Sequence, residues 1–295
     1  MPVSRRTLAL PIAAVAALAA CTSSSTTSSG PDETADPVPS AEVTPAWDTS
    51  PASMAAIGDS ITRAFDACSI LSDCPEASWA TGTDAEVDSL ARQLLGDPES
   101  VAAHTWNLAE TGATVADLPA QARRAVAHSP ELVTVLIGAN DACAEDIASM
   151  TTPAGFEADF REALAVIRAE LPETEVYVSS VPDLLRLWTE GSDSSMARAV
   201  WGLADICPSL LDGAGDDSAG AAERRAAVDT RVREYNAALE EVCAEDPLCR
   251  YDDGAVFDYA FTSHHLSDWD WFHPSREGQS ELAALAYDRI TAATD

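Results

Sequence analysis

Lysine is missing from this 295-residue chain, so all 17 of its strongly basic residues are arginine. That absence excludes a Schiff-base mechanism and any lysine acting as base. Positive charge is scarce altogether: the 17 arginines stand against 49 acidic residues, for a formal net charge of −32. Binding nucleic acid requires cationic groups that displace counterions from phosphates, so no nucleic-acid partner is expected. The same deficit weakens electrostatic docking on anionic lipid, and the acidity is read as serving solubility. Aromatic residues reach only 6%, yet 46% of the chain is apolar, enough for one large domain with a substantial core. No internal repeat is visible.

Long hydrophobic runs are also lacking. The apolar stretch at residues 7–20 follows a short basic start and is too short to span a bilayer comfortably. It ends Leu18-Ala19-Ala20-Cys21, which resembles a bacterial lipobox whose cysteine becomes lipidated. Ser4-Arg5-Arg6-Thr7-Leu8 resembles a twin-arginine signal. The expectation is a signal peptide over residues 1–20, a Ser/Thr/Pro/acid-rich tether over 21–50 and a catalytic domain over 51–295. The protein would then be exported and held at the cell surface by a lipid on Cys21, with membrane contact only there. An ordinary secretory peptide with an incidental Cys21 is the alternative.

Six further cysteines are an even number, which in an exported chain suggests disulfides, although six allow fifteen connectivities. Cys68 lies close to Cys74 in sequence and Cys243 to Cys249, leaving Cys143 for Cys207. A metal site would call for C-x-x-C spacing with histidine nearby, and neither is present.

From residue 53 onward, short apolar runs alternate with helical patterns. Strands are expected at 54–57, 105–108, 132–137 and 176–181, with a weaker fifth at 255–259. Helices are expected at 86–95, 118–127, 153–170, 221–244 and 277–292. Such alternation implies an α/β fold with a parallel sheet covered on both faces, whose sites form at the carboxyl ends of the strands.

Chemistry-bearing residues fall at those ends. Gly58-Asp59-Ser60 follows the first strand, where Ser60 is expected at a strand-to-helix turn. Asn107-Leu108-Ala109-Glu110-Thr111-Gly112 follows the second, and Gly138-Ala139-Asn140-Asp141 the third. Asp270 and His273 lie three apart near the C-terminus, close enough to meet on one turn. Taken singly these are bland: Ser60 reads as a helix cap, Gly112 and Asn140 as turn residues, Asp270 as a cap and His273 as a loop residue. His264 and His265 offer a fallback base. Asp59 and Asp141 read as structural.

Together, in this order, the four blocks resemble the SGNH (GDSL-type) hydrolase family, and most closely its secreted actinobacterial members. The resemblance implies a flavodoxin-like α/β/α sandwich with a five-stranded parallel sheet. It implies ester hydrolysis without a cofactor or metal, with Ser60 as nucleophile, His273 as base and Asp270 orienting the imidazole. The Ser60 N–H, the Gly112 N–H and the Asn140 side-chain amide would form the oxyanion hole. A monomer acting on small-molecule or lipid esters is expected. Deacetylation of polysaccharide is the alternative substrate class, and a catalytically silent surface-binding lipoprotein is the reading from another class. An apolar stretch over residues 184–220, with Trp188 and Trp201, is either a lid over the site or a cap on the core.

Overall fold

The computed structural model describes residues 47–292. The expected leader, Cys21 and nearly all of the tether lie outside the described residues.

Five strands form one sheet: β1 (Met54–Gly58), β2 (Thr105–Asn107), β3 (Leu132–Leu136), β4 (Glu175–Val178) and β5 (Cys249–Tyr251). Their order is β2-β1-β3-β4-β5, and every pairing is parallel. The three central strands are buried along their whole length, as expected where both faces of a parallel sheet are covered.

The helices are α1 (Leu90–Leu95), α2 (Pro98–His104), α3 (Leu118–Val126), α4 (Ala139–Ala142), α5 (Pro153–Glu170), α6 (Leu184–Gly191), α7 (Ser195–Ala204), α8 (Pro208–Leu211), α9 (Ala219–Ala244), α10 (Ala255–Asp258) and α11 (Arg276–Thr291). The crossover through α1 and α2 moves the chain from β1 to one edge, whereas those through α3, α5 and α9 move it the other way. Right-handed crossovers then put α3, α5 and α9 on one face, where they pack side by side, and α1 with α11 on the other. The direction reverses at β1, so the crevice between β1 and its neighbours at their carboxyl ends is the topological switch point.

Three sequence expectations are corrected. The fifth strand is not at 255–259 but at Cys249–Tyr251, directly after the Cys243–Cys249 disulfide. Asp252 ends that strand: its carboxylate accepts the N–H groups of Gly254 (2.9 Å) and Val256 (3.1 Å), which starts α10 instead. The helix expected over 86–95 begins only at Leu90, where the Ser89 hydroxyl caps it. Residues 61–66 are consecutive turns rather than a helix after Ser60, because Ala64 (φ 49°) and Asp66 (φ 58°) take left-handed conformations. The stretch 184–220 carries α6, α7, α8 and the start of α9. The structure contains the disulfides Cys68–Cys74, Cys143–Cys207 and Cys243–Cys249. Among the described residues no helix is long and apolar enough to cross a membrane.

Gly58 is where the central sheet yields to the site. Its φ of +147° is costly for other residues, and a Cβ there would lie 2.1 Å from the Leu136 carbonyl oxygen. Gly58→Ala is therefore expected to destabilise the fold by about 3 kcal/mol or more. Urea denaturation of the pair of proteins measures it; a loss under about 1 kcal/mol would contradict this close strand contact.

Candidate active site

The carboxyl ends of β1, β2 and β3 bring Ser60, Gly112 and Asn140 to one rim, and the loop before α11 lowers His273 onto it. His273 Nε2 lies 2.9 Å from Ser60 Oγ, and its Nδ1 lies 2.5 Å from Asp270 Oδ2. All three groups are largely buried, with Ser60 5% exposed and Asp270 4%. The other oxygen of Asp270 accepts the N–H groups of Phe272 (2.9 Å) and His273 (3.0 Å), which fixes the carboxylate on its own turn.

The Ser60 turn is held by two buried glutamines. Gln121 on α3 exchanges two hydrogen bonds with the backbone of Gly58, at 2.7 and 2.9 Å. Gln279 on α11 donates to the Ile61 carbonyl at 2.8 Å and accepts the Trp79 N–H at 2.8 Å. Gly278 lets the start of α11 lie close against His265, since a Cβ there would lie 2.2 Å from the His265 carbonyl oxygen. Asn107 adds a bond to the Thr62 carbonyl at 2.8 Å.

The donor side is assembled separately. Glu110 to Ala113 form a turn closed by the Ala113 N–H on the Glu110 carbonyl (3.0 Å), with Gly112 at φ +85° in the position that favours glycine. The Asn140 amide nitrogen donates to the Ala113 carbonyl at 2.8 Å, which ties the second and third blocks together. A primary amide carries two N–H bonds, so one remains for a ligand. Among the described residues, the N–H groups of Ser60 and Gly112 have no protein acceptor. These donors, beside a serine hydroxyl in contact with an imidazole, can stabilise an oxyanion generated by attack of that hydroxyl.

Charge around the imidazole favours its cation. Burial alone would push the His273 pKa down, but the bond to Asp270 and the charges of Asp270, Asp59 and Asp66 together raise it above the ordinary 6.5. Burial would likewise raise Asp270, yet the His273 bond and charge, with the two N–H groups, hold it below the usual carboxylate range. Asp66 is pushed up by burial and then by the neighbouring charge of Asp270. Asp59 is wholly buried; burial pushes its carboxyl up to about 7 against the lowering effect of the Ile61 N–H.

Sequence reasoning did not single out Gln121 or Asp66, ordinary residue types in helix and turn positions, and it named Asn107, at the end of β2, only as the first residue of the second block. Trp201 acts in a way composition does not reveal: buried on α7, it donates Nε1 to the Asp270 carbonyl at 2.9 Å. Trp188 is only half-buried, its Nε1 on the Ala214 carbonyl and its face under Arg225. His265 is engaged by the Thr262 N–H at 3.0 Å, and neither it nor His264 contacts Ser60. A narrow apolar cavity of about 20 Å3 adjoins the imidazole, lined by Ile61, Leu184, Leu187, Phe261 and Phe272. A wider cleft of about 590 Å3 lies beside the acid loop at Asp66 and Trp269, but neither Ser60 nor His273 lines it.

The raised Asp59 gives a stability prediction. A carboxyl whose folded pKa exceeds its unfolded value loses folding stability as pH rises from about 4 to about 7, and bears the full cost above that. Asp59→Asn retains an acceptor for the Ile61 N–H without a charge. Its Tm relative to the parent should therefore be higher at pH 8 than at pH 5; an unchanged difference would refute a neutral-leaning Asp59.

Residues 54–286 match the GDSL-like lipase/acylhydrolase family. A membrane-associated phospholipase B1 of Mus musculus is 25% identical over 221 residues, which is 63% of this chain and 15% of that protein. The chain thus spans about 15% of the length of that curated relative. A GDSL-like lipase structure from Parabacteroides merdae superposes with a TM-score of 0.51 at 19% identity, covering 84% of this chain and 99% of that one. The salicylyl-acyltransferase SsfX3 of a tetracycline biosynthetic pathway gives 0.50 at 18% identity, covering 82% of this chain and 54% of that one. The family match and the parallel sheet between helical layers agree: the chain belongs to the GDSL-like lipase/acylhydrolase family.

Proposed function

We propose that the protein hydrolyses carboxylic esters through an acyl-enzyme on Ser60. The reading is carried by the continuous chain from Ser60 Oγ through the His273 imidazole to the Asp270 carboxylate. Ser60 Oγ attacks the ester carbonyl while His273 Nε2 takes its proton, and Asp270 holds the Nδ1–H tautomer and stabilises the imidazolium. The oxyanion receives the N–H groups of Ser60 and Gly112 and the free N–H of Asn140. Collapse expels the alcohol, which takes the proton back from His273. Water, deprotonated by the same imidazole, then attacks the acyl-enzyme and returns Ser60 and the acid. Removing one such donor costs roughly 3–4 kcal/mol of barrier.

The catalytic domain is read as exported and tethered through a lipid on Cys21, where esters of the cell envelope would be in reach. Three disulfides fit an oxidising compartment. Among substrates, we read the cavity beside His273, which Ser60 itself does not line, as the place of the acyl group: about 20 Å3 holds a methyl or a single water, not a chain. That reading favours acetyl esters over long-chain acyl lipids.

A fluorophosphonate should label the protein at Ser60, and Ser60→Ala should lose both labelling and esterase activity by at least about 1000-fold. Labelling at any other residue, or full activity in the variant, would remove the proposed nucleophile. Activity requires neutral His273, so kcat/KM should rise with pH through a midpoint above 6.5, because the surrounding carboxylates raise that pKa. Full activity at pH 4 would contradict the histidine base. Across p-nitrophenyl esters, kcat/KM should fall from acetyl to octanoyl; a preference for octanoyl would reject the small acyl slot.

A further inference from the structure

The glycine donor of the proposed oxyanion hole is poorly supported by its own surroundings. Gly112 has φ +85°, and nothing lies within 4 Å of where a Cβ would stand, so that side of the residue faces open space. The turn is held at its ends: the Glu110 N–H bonds the Gly58 carbonyl (3.1 Å), and the Ala113 carbonyl accepts from Asn140. Between those ends, Thr111 supplies the carbonyl carbon of the Thr111–Gly112 peptide, and therefore the orientation of the Gly112 N–H.

Thr111 is tethered by one strong contact. Its hydroxyl donates to Asp73 Oδ1 at 2.5 Å, and Asp73 Oδ2 accepts Arg63 Nε at 2.9 Å. Arg63 belongs to the turns that follow the nucleophile: its N–H bonds the Asp59 carbonyl (3.2 Å) and its carbonyl accepts the Cys74 N–H (3.1 Å). Asp73 itself sits in the loop closed by Cys68–Cys74. One carboxylate therefore connects the turn carrying the Ser60 N–H to the turn carrying the Gly112 N–H, and a disulfide limits how far that carboxylate can move. A hydrogen bond to an ionised acceptor is roughly twice as strong as a neutral one, which suits a single tether.

We infer that Asp73 is a positioning residue, holding the Gly112 N–H in register with the Ser60 N–H through Thr111. It touches no substrate. The inference rests on the acyl-enzyme reading and assigns Asp73 a role within that site.

The test compares Asp73→Ala, Thr111→Val and their double variant with the parent, using p-nitrophenyl acetate and a phenylboronic acid. The boronate forms a tetrahedral adduct on the nucleophile whose oxygen occupies the oxyanion position, so its affinity reports donor alignment, as KM for the ester does not. A displaced donor should cost less than the 100–1000-fold of a deleted one. Each single variant should lower kcat about 10-fold and weaken the boronate similarly, with KM within about twofold. The double should be no worse than either single, because both break one chain of contacts. Thr111→Ser, which keeps the hydroxyl, should restore kcat. Thr111→Val leaves the Arg63–Asp73 pair intact, so it tests the tether even if Asp73→Ala unfolds. Parent-like kcat and boronate affinity in folded Thr111→Val, or additive losses in the double, would overturn the inference. Failure of the acyl-enzyme reading shows separately, as fluorophosphonate-resistant activity in the parent.

Discussion

Everything in the site depends on one contact, His273 Nε2 on Ser60 Oγ, which joins residues 213 apart in the chain. The serine is held by the central sheet, but the histidine sits on a loop, and loops fix side chains only where other bonds over-determine them. Several do so here. Leu266 bridges Pro274 across the base of the loop, and Ser267 donates its N–H to the His273 carbonyl (2.8 Å) and its hydroxyl to the Asp66 carbonyl (2.7 Å). The Phe65 ring lies 5.0 Å from the imidazole, and Gln279 locks the start of α11 to the Ser60 turn. The residues after Ser60 therefore hold the His273 imidazole as well as the serine.

Electrostatics follows from that crowding. Asp270, Asp59 and Asp66 all act on one imidazole, and no lysine exists anywhere to offset them. The hydrogen bond to Asp270, with the charges of all three carboxylates, outweighs burial here, which is why His273 rises rather than falls. The cost is met by Asp59, whose carboxyl drifts toward neutrality because its burial is complete and one of its oxygens has no partner. The acidity that looks like a solubility device at the level of composition becomes, at the rim, part of how the base is tuned.

The three central strands, the long helices α5 and α9 and the four site blocks were legible in the sequence because each carries a local signal: a continuous β-rich run, a helical period, or a glycine beside a polar residue. The fifth strand was not, because Cys249-Arg250-Tyr251 is three residues long and only half-buried, whereas the more apolar 255–259 is diverted into a helix by Asp252. Helix α2 was missed although Asp97-Pro98 starts it; its seven residues bury only Val101 and show no period. Gln121, Asp66 and Asp73 were illegible for a deeper reason. Their roles are bonds to backbone or side chains brought near by the fold, and nothing in their sequence neighbourhood distinguishes them from surface residues.

The stretch over α6 to α8 shows how structure decides between two readings that composition leaves level. A lid must be able to leave the site. Here Cys143–Cys207 ties the stretch to the residue just after the Asn140 turn, and Ser209 bonds the Ala142 and Ala144 carbonyls at 2.6 and 3.0 Å. At its other end the buried Trp201 packs so closely on Gly191 that a Cβ there would lie 2.5 Å from the ring, and its N–H holds the Asp270 carbonyl. Moving the stretch as a unit would strip a bond from the acid and pull on the amide block together. It acts as a brace between the two halves of the site, and Leu184 and Leu187, which wall the cavity beside His273, are held in place by that brace. A rigid wall against the imidazole makes the narrowness of that cavity a property of the fold rather than of a passing conformation.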